Sequence, residues 1–203
     1  MNLLAHIYLS GQDDQVRIGN FIGDYVKGRK YRRYSPAIKK GILLHRSIDT
    51  FTDHHVVPLK VKKLLRPYYH KHAGIVVDVF YDHFLANNWS YYSQSNLADY
   101  IGHFYRILED NFDRLPASVQ RFVPVMIRKN RILSYRWMSG IEEALQVMAR
   151  HTSLPEKTPY AMQVLNDHYD LINRNFQAFF PQIINHVVDG YRVDIEYCRS
   201  WNH

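Results

Sequence analysis

The 203-residue sequence contains a single cysteine, Cys198. One cysteine excludes an internal disulfide and a cysteine-based zinc site. The apolar stretches fall short of the ~20 residues that a membrane-spanning helix needs, and His6 interrupts the first of them, which argues against a signal peptide. Long linkers, internal repeats and low-complexity tracts are also lacking. We therefore expect one cytoplasmic globular domain over residues 1–203, with no membrane association.

Acidic residues are outnumbered, with 19 Asp and Glu against 26 Lys and Arg and a formal charge of +7. Such an excess favours an acidic partner, which could be a nucleic acid, an anionic membrane surface or an acidic protein. A solvated basic surface without a partner explains the charge equally well. No helix-turn-helix, zinc-finger or RNA-recognition signature accompanies the basic residues, so a nucleic-acid partner is not expected.

Alternating polar and apolar residues, the pattern of a half-buried strand, are not found in any convincing run. Apolar residues instead recur at helical spacing through most of the chain. Ser35 and Pro36 are placed as the N-cap and first residue of one helix. Further helices are predicted over residues 2–9, 15–27, 58–69, 73–89, 96–113, 117–127, 130–150, 159–180 and 182–197. The predicted fold is an all-α, single-domain helical bundle.

Three polar residues occupy a helix face that should be apolar in the segment LLHRSIDTFTDHH. His45, Asp49 and Asp53 follow one another at four-residue steps, so they lie within about 80° of one another around the helix. Unpaired charge on an inward face costs several kcal/mol, and a bound metal cation would compensate for it. His45 and Asp49 are the candidate ligands, because i,i+4 spacing lets one helix offer two donors to one ion. Asp53 and His54 are expected to lie outside the ligand shell or to end the helix.

A second polar group lies in AGIVVDVFYDHFLANNW, which is otherwise apolar on almost every side. Asp78 and Asp82 share a helix face, and His83 follows about 100° further round. His6 and Asp24 are also embedded in apolar runs, although a lone buried histidine is more often a hydrogen-bonded core residue than a ligand. Oxygen and imidazole donors without thiolates suit Mn²⁺, Fe²⁺ or Mg²⁺, with Zn²⁺ possible.

Four segments together resemble the acyl carrier protein phosphodiesterase family, also called acyl carrier protein hydrolase. They are MNLLAHIYLS, IGNFIGDYVKG, GILLHRSIDTFTDHH and DVFYDHFLANNW. The family is regarded as a divergent branch of the helical HD-type metal-dependent phosphohydrolases. The resemblance implies an HD-like fold and Mn²⁺-dependent hydrolysis of the phosphodiester that joins 4′-phosphopantetheine to a serine of holo-acyl carrier protein. The sequence departs from the usual HD order, because its adjacent pair runs Asp82-His83, and one helical turn separates His45 from Asp49.

The resemblance and the residues together give a set of predicted roles. The predicted metal ligands are Asp24, His45, Asp49, Asp82 and His83. The predicted catalytic residues, which complete or orient the ligand shell or act as general base, are Asp24, His6 and Asp78. Lys27 and Arg46 are predicted to neutralise the phosphoryl oxygens. The remaining basic residues of KGRKYRRY are predicted to attract the acidic carrier protein, namely Arg29, Lys30, Arg32 and Arg33.

Two other functions stay open at this point. The same metal site could serve an HD-type nucleotide or cyclic-nucleotide phosphohydrolase. The protein could also be a basic helical RNA-binding protein without enzymatic activity, in which the buried Asp and His residues form a structural polar network. The oligomeric state, the metal and the preference among acyl forms of the carrier are open as well.

Overall fold

The computed structural model describes residues 1–195 of the chain. These residues contain twelve α-helices and four short 3-10 helices, and no β-strand occurs among them. The all-α prediction is confirmed, and the helices pack round one continuous apolar core. The HD-like relationship stays a prediction. Cys198 and the predicted helix end at residue 197 lie outside the described residues. The α-helices are α1 (Leu3–Tyr8), α2 (Asp14–Phe21), α3 (Pro36–His54), α4 (Leu59–Tyr69), α5 (Ala73–Asn87), α6 (Trp89–Tyr92), α7 (Leu97–Asp110), α8 (Ala117–Arg128), α9 (Arg131–Ser134), α10 (Met138–His151), α11 (Thr158–Asp167) and α12 (Tyr169–Tyr191).

Helix boundaries differ from the predictions at three places. The helix predicted over 15–27 ends at Phe21 and continues as the 3-10 helix Gly23–Tyr25. The helix predicted over 130–150 is interrupted between α9 and α10. The break predicted at Pro181 lies instead at His168, between α11 and α12.

Pro181 lies inside α12 although an interior proline costs a helix about 3 kcal/mol. The residues on both sides of it, Phe179, Phe180, Ile183 and Ile184, are all buried. Their burial depends on one continuous apolar face, and each large apolar side chain contributes about 1.5–3 kcal/mol when fully buried. Packing of this face therefore outweighs the local preference for a break.

Two glycines allow α2 and α3 to pack with their backbones in contact. A Cβ on Gly19 would lie 2.1 Å from the carbonyl oxygen of Ile38, and one on Gly41 would lie 2.2 Å from that of Val16. Neither position can accept a side chain without separating the helices. This close contact places Asn20 of α2 and His45 of α3 beside α1.

Helix α5 runs through the middle of the molecule and contacts α1, α4, α10 and α12. Its predicted burial is confirmed, since eleven of its fifteen residues are buried. The carboxylate of Asp82 accepts hydrogen bonds from the backbone N–H groups of Leu4 at 2.8 Å and Ala5 at 3.0 Å. These amides lie in the first turn of α1, where no intrahelical carbonyl is available to them. Asp82 therefore fixes α1, and with it His6, on the core. No helix among residues 1–195 is long and apolar enough to cross a membrane.

Candidate metal centre

Three side chains from two helices converge in the lining of a cavity. Within residues 1–195, His6 of α1 with His45 and Asp49 of α3 form one group whose donor atoms all lie within 4.8 Å of one another. The two imidazole rings stack, with centroids 4.2 Å apart and planes 20° from parallel. The cavity that they line has a volume of about 560 Å³, and Asp24 and Asp78 also line it.

Asn20 sets which nitrogen of His6 carries the proton. Its amide nitrogen donates hydrogen bonds to the His6 carbonyl oxygen at 2.9 Å and to Ser10 Oγ at 2.8 Å. The amide oxygen must therefore face His6 Nδ1, which lies 2.8 Å from it and donates the hydrogen bond. A neutral His6 consequently presents the lone pair of Nε2 to the cavity. Asn20 is fully buried, which favours a single arrangement of this network.

The lone pair of His6 faces a carboxylate oxygen. His6 Nε2 lies 3.1 Å from Asp49 Oδ1. Burial is the main cause that lowers the pKa of His6 to about 4, so at neutral pH no proton lies between the two atoms. Two acceptors at this separation repel each other unless a cation binds both. A divalent metal fits this arrangement, and imidazole with carboxylate is a donor set that Mn²⁺, Fe²⁺ and Zn²⁺ accept.

His45 supplies the third donor. Its Nε2 lies 3.1 Å from Asp49 Oδ2 and 3.6 Å from Asp24 Oδ1, but it is aligned with neither oxygen for a hydrogen bond. Burial favours the neutral ring, yet the carboxylates of Asp24 and Asp49 raise the pKa of His45 to about 9. The metal-free site therefore holds a proton where the bound metal would supply the positive charge.

Gly23 makes room for this imidazole. A Cβ at that position would lie 2.3 Å from His45 Cγ. The 3-10 helix Gly23–Tyr25 passes close to the ring at this point and brings Asp24 Oδ1 to 3.6 Å from His45 Nε2.

The two acidic members of the site differ in exposure. Asp49 is 39% exposed, and although burial opposes ionisation, contact with His45 holds its pKa well below the ordinary value. The side chain of Asp24 is 70% exposed, whereas the sequence placed it in an apolar run. Contact with His45 lowers the pKa of Asp24, so this carboxylate is ionised at neutral pH. Lys27 Nζ lies 3.9 Å from it.

Asp78 lines the cavity but stands outside the group of three donors. One of its carboxylate oxygens lies 3.2 Å from the amino nitrogen of Met1, which is also 3.5 Å from Asp49. Burial raises the pKa of Asp78 above its ordinary value.

Asp82 and His83, two of the predicted ligands, have other partners. Asp82 is fully buried against the first turn of α1, and this burial raises its pKa to about 7. His83 Nδ1 lies 2.8 Å from the carbonyl oxygen of Tyr135, and Nε2 lies 3.0 Å from the hydroxyl oxygen of Tyr169. These contacts link α5 to the segments around it, and neither residue belongs to the group of three donors.

Asp53 also departs from the expected inward orientation. Its side chain is 68% exposed and lies 3.3 Å from the amine of Lys62. It lines the same cavity, but because it is exposed to solvent and lies beside Lys62, its charge needs no metal to compensate for it.

Arg46 holds the basic segment in place. Its Nη2 donates hydrogen bonds to the carbonyl oxygens of Val26 at 2.7 Å and Gly28 at 2.9 Å, and its guanidinium lies over the Tyr31 ring. The basic segment forms a 3-10 helix, Gly28–Arg33. The four basic side chains predicted to attract a carrier are all exposed on it, namely Arg29, Lys30, Arg32 and Arg33.

Sequence reasoning missed Asn20 and Gly23. Both lie in IGNFIGDYVKG, where only Asp24 was singled out. An asparagine inside an apolar helical run is a usable signal, since a buried amide needs hydrogen-bond partners. Gly23 has no comparable signal, because its role depends on a ring that lies 22 positions further along the chain.

The comparisons with known proteins agree with the resemblance. The family profile of acyl carrier protein phosphodiesterase matches residues 1–183. A protein of that name from Klebsiella pneumoniae is 32% identical over 188 residues, which cover 91% of this chain and 96% of the relative. The protein of that name from Photorhabdus laumondii is 29% identical, and the alignment covers 91% of this chain and 93% of the relative. The one from Yersinia enterocolitica is 28% identical, and the alignment covers 93% of this chain and 98% of the relative. No solved structure is significantly similar to the chain. The chain belongs to the acyl carrier protein phosphodiesterase family.

Proposed function

We propose that the protein is a metal-dependent phosphodiesterase that removes 4′-phosphopantetheine from the serine of holo-acyl carrier protein. The observation that carries the proposal is the pair of facing acceptors, His6 Nε2 and Asp49 Oδ1, 3.1 Å apart in the lining of the cavity. Family membership supplies the substrate, because the relatives are named for this activity.

We assign four residues as metal ligands: His6, His45, Asp49 and Asp24. Mn²⁺ is the leading candidate, with Mg²⁺ or Fe²⁺ as alternatives. The bound cation would neutralise phosphoryl charge and lower the pKa of a coordinated water. Relative to the sequence prediction, His6 enters the ligand set, while Asp82 anchors α1 and His83 links α5 to Tyr135 and Tyr169.

Asp78 is the candidate general base. It lines the cavity outside the ligand set, and burial raises its pKa, which makes the carboxylate a stronger base. Lys27 is exposed beside Asp24, and we assign it to contact with a phosphoryl oxygen. Arg46 donates to two backbone carbonyls, so we assign it to positioning the basic segment rather than to the phosphate.

The carrier protein would dock on the 3-10 helix Gly28–Arg33. Its four basic side chains are exposed, and the helix follows Asp24 by only a few residues. Acyl carrier proteins are strongly acidic, so charge complementarity would speed encounter and fix the orientation of the phosphodiester over the site.

The test is to incubate the protein with holo-acyl carrier protein and to follow loss of the 4′-phosphopantetheine mass. We expect turnover with Mn²⁺ and none after chelation. Asp24→Ala should abolish turnover, while Asp53→Ala, the matched change of another exposed carboxylate in the same cavity, should retain it. Turnover that survives chelation would contradict the metal. Hydrolysis of cyclic nucleotides with no action on the carrier would favour the other phosphohydrolase function.

A further inference from the structure

A second cavity, the α8–α10 groove, opens beside the candidate metal centre. It has a volume of about 460 Å³ and runs between Val125 and Met126 of α8 and Ala144 and Val147 of α10. Five residues line both the groove and the metal cavity, namely Leu3, Tyr25, Phe122, Met148 and Thr152. The two cavities therefore adjoin along these shared side chains.

The walls of the groove suit hydrocarbon. The one carboxylate that lines it, Glu143, is paired with Lys129 at 3.1 Å and Arg131 at 3.3 Å. The side chains around it otherwise present mainly apolar atoms to the groove. The pantetheine arm carries two amides, and amides buried without hydrogen-bond partners cost free energy. An alkyl chain, by contrast, gains from every methylene that leaves water.

We infer that the α8–α10 groove binds the acyl chain of a carrier protein whose phosphopantetheine arm is acylated. This inference rests on the proposed function, because the phosphodiester has to lie at the metal centre. The phosphate is bonded to the carrier serine on one side and to the arm on the other. An arm that leaves the metal cavity past Tyr25 and Phe122 carries its thioester, and the chain attached to it, into the groove. The protein would thus prefer acylated carriers over the free thiol form.

The first experiment measures binding and needs no variant. Calorimetry compares 4′-phosphopantetheine with its S-octanoyl thioester, using the metal-loaded protein. We expect the octanoyl compound to bind at least tenfold more tightly. Equal affinities would overturn the inference, whatever the enzyme does to carrier proteins.

The second experiment fills the groove from each wall. Val147→Trp on α10 and Val125→Trp on α8 should each lower kcat/KM for octanoyl-acyl carrier protein at least tenfold relative to the holo form. Gln146→Trp is the matched control, because Gln146 is the exposed neighbour of Val147 on the same helix. Its ratio of the two kcat/KM values should stay within twofold of wild type.

The two readouts separate the failure of this inference from the failure of the proposed function. One outcome is that a filled-groove variant turns over the holo form normally and keeps the wild-type ratio of kcat/KM for the octanoyl carrier to kcat/KM for the holo carrier. That result would overturn the groove assignment alone. Absence of turnover by the wild-type protein on every carrier form would overturn the proposed function and, with it, the acylated carrier as occupant.

Discussion

Asn20→Ala should weaken Mn²⁺ binding about ten- to a hundredfold. The Asn20 amide holds the His6 proton on Nδ1 and keeps Nε2 free toward Asp49. Alanine removes this constraint, so the ring can turn or take its proton on Nε2, the atom assigned to the metal. Groups that orient a ligating histidine in this way typically contribute about this factor to metal affinity.

Stability should fall as well, and the two effects have to be separated. Asn20 makes three hydrogen bonds in a fully buried position, each worth about 0.5–1.5 kcal/mol, so its loss should lower the free energy of unfolding by roughly 1.5–4.5 kcal/mol. Asn175→Ala is the matched control. Asn175 is also buried and hydrogen-bonds to Tyr81 Oη and the Val57 carbonyl oxygen, away from the cluster.

The assay pairs urea unfolding of the metal-free proteins with a Mn²⁺ titration against a competing chelator. Both variants should lose stability, but only Asn20→Ala should lose affinity, by about 1.4–2.8 kcal/mol of binding free energy. Wild-type affinity in Asn20→Ala would refute the tautomer assignment. An equal loss in Asn175→Ala would attribute the effect to general destabilisation.

Four further changes test other parts of the site. Gly23→Ala should displace His45 and abolish Mn²⁺ binding in equilibrium dialysis, because the new Cβ would lie 2.3 Å from the ring. Gly190→Ala is the control and should bind Mn²⁺ normally, because a Cβ at that position meets open space. Asp82→Ala should lower the free energy of unfolding by about 2–6 kcal/mol, because two buried N–H groups are left without an acceptor at about 1–3 kcal/mol each. The variant should still bind Mn²⁺ with wild-type stoichiometry at saturation. A lost equivalent in the folded variant would restore Asp82 as a ligand. Glutamine at all four exposed basic positions of Gly28–Arg33 should lower kcat/KM for the carrier protein more than kcat, and should flatten the salt dependence of kcat/KM. An equal loss of kcat/KM on a small phosphodiester would instead place these residues in the site where the bond is cleaved. Apparent Mn²⁺ affinity, measured anaerobically, should rise about tenfold per pH unit and level off near pH 9, because below the His45 pKa of about 9 the metal must displace the His45 proton. His6, with a pKa of about 4, is already neutral and adds no further proton. An affinity that does not change between about pH 6.5 and 8.5 would contradict the release of one proton.

The helical class and part of the site could be predicted because they depend on local spacing. The i,i+4 pair His45 and Asp49 lies on one face wherever the segment is helical, and the structure does bring the two together with His6. Their partner His6 lies 43 positions from Asp49, and no local pattern predicts that α1 packs at this point. The resemblance to the family, confirmed over residues 1–183, supplied what spacing could not.

The places where the surroundings of a residue differ from what the sequence suggests have a common physical cause. A carboxylate in an apolar stretch of sequence indicates that a partner must compensate for its charge, but the sequence does not identify that partner. For Asp82 the partner is a pair of backbone amides on another helix, and such amides leave no signature in the sequence. For Asp24 the helix ends at Phe21, so the residue turns outward in the 3-10 segment that follows. Pro181 shows the opposite case, in which a clear local signal yields to tertiary packing.

Gly19 and Gly41 bring two backbones into contact, so α2 and α3 have no layer of side chains between them that could rearrange. Packed interfaces of this kind have discrete arrangements rather than a continuous range, and the pair has to open as a unit. The amide protons in the middle of both helices should therefore exchange with solvent together and slowly. Because His45 and Asp49 belong to α3 and Asn20 to α2, the side chains assigned to the proposed metal site should keep their spacing during the local fluctuations of the rest of the chain.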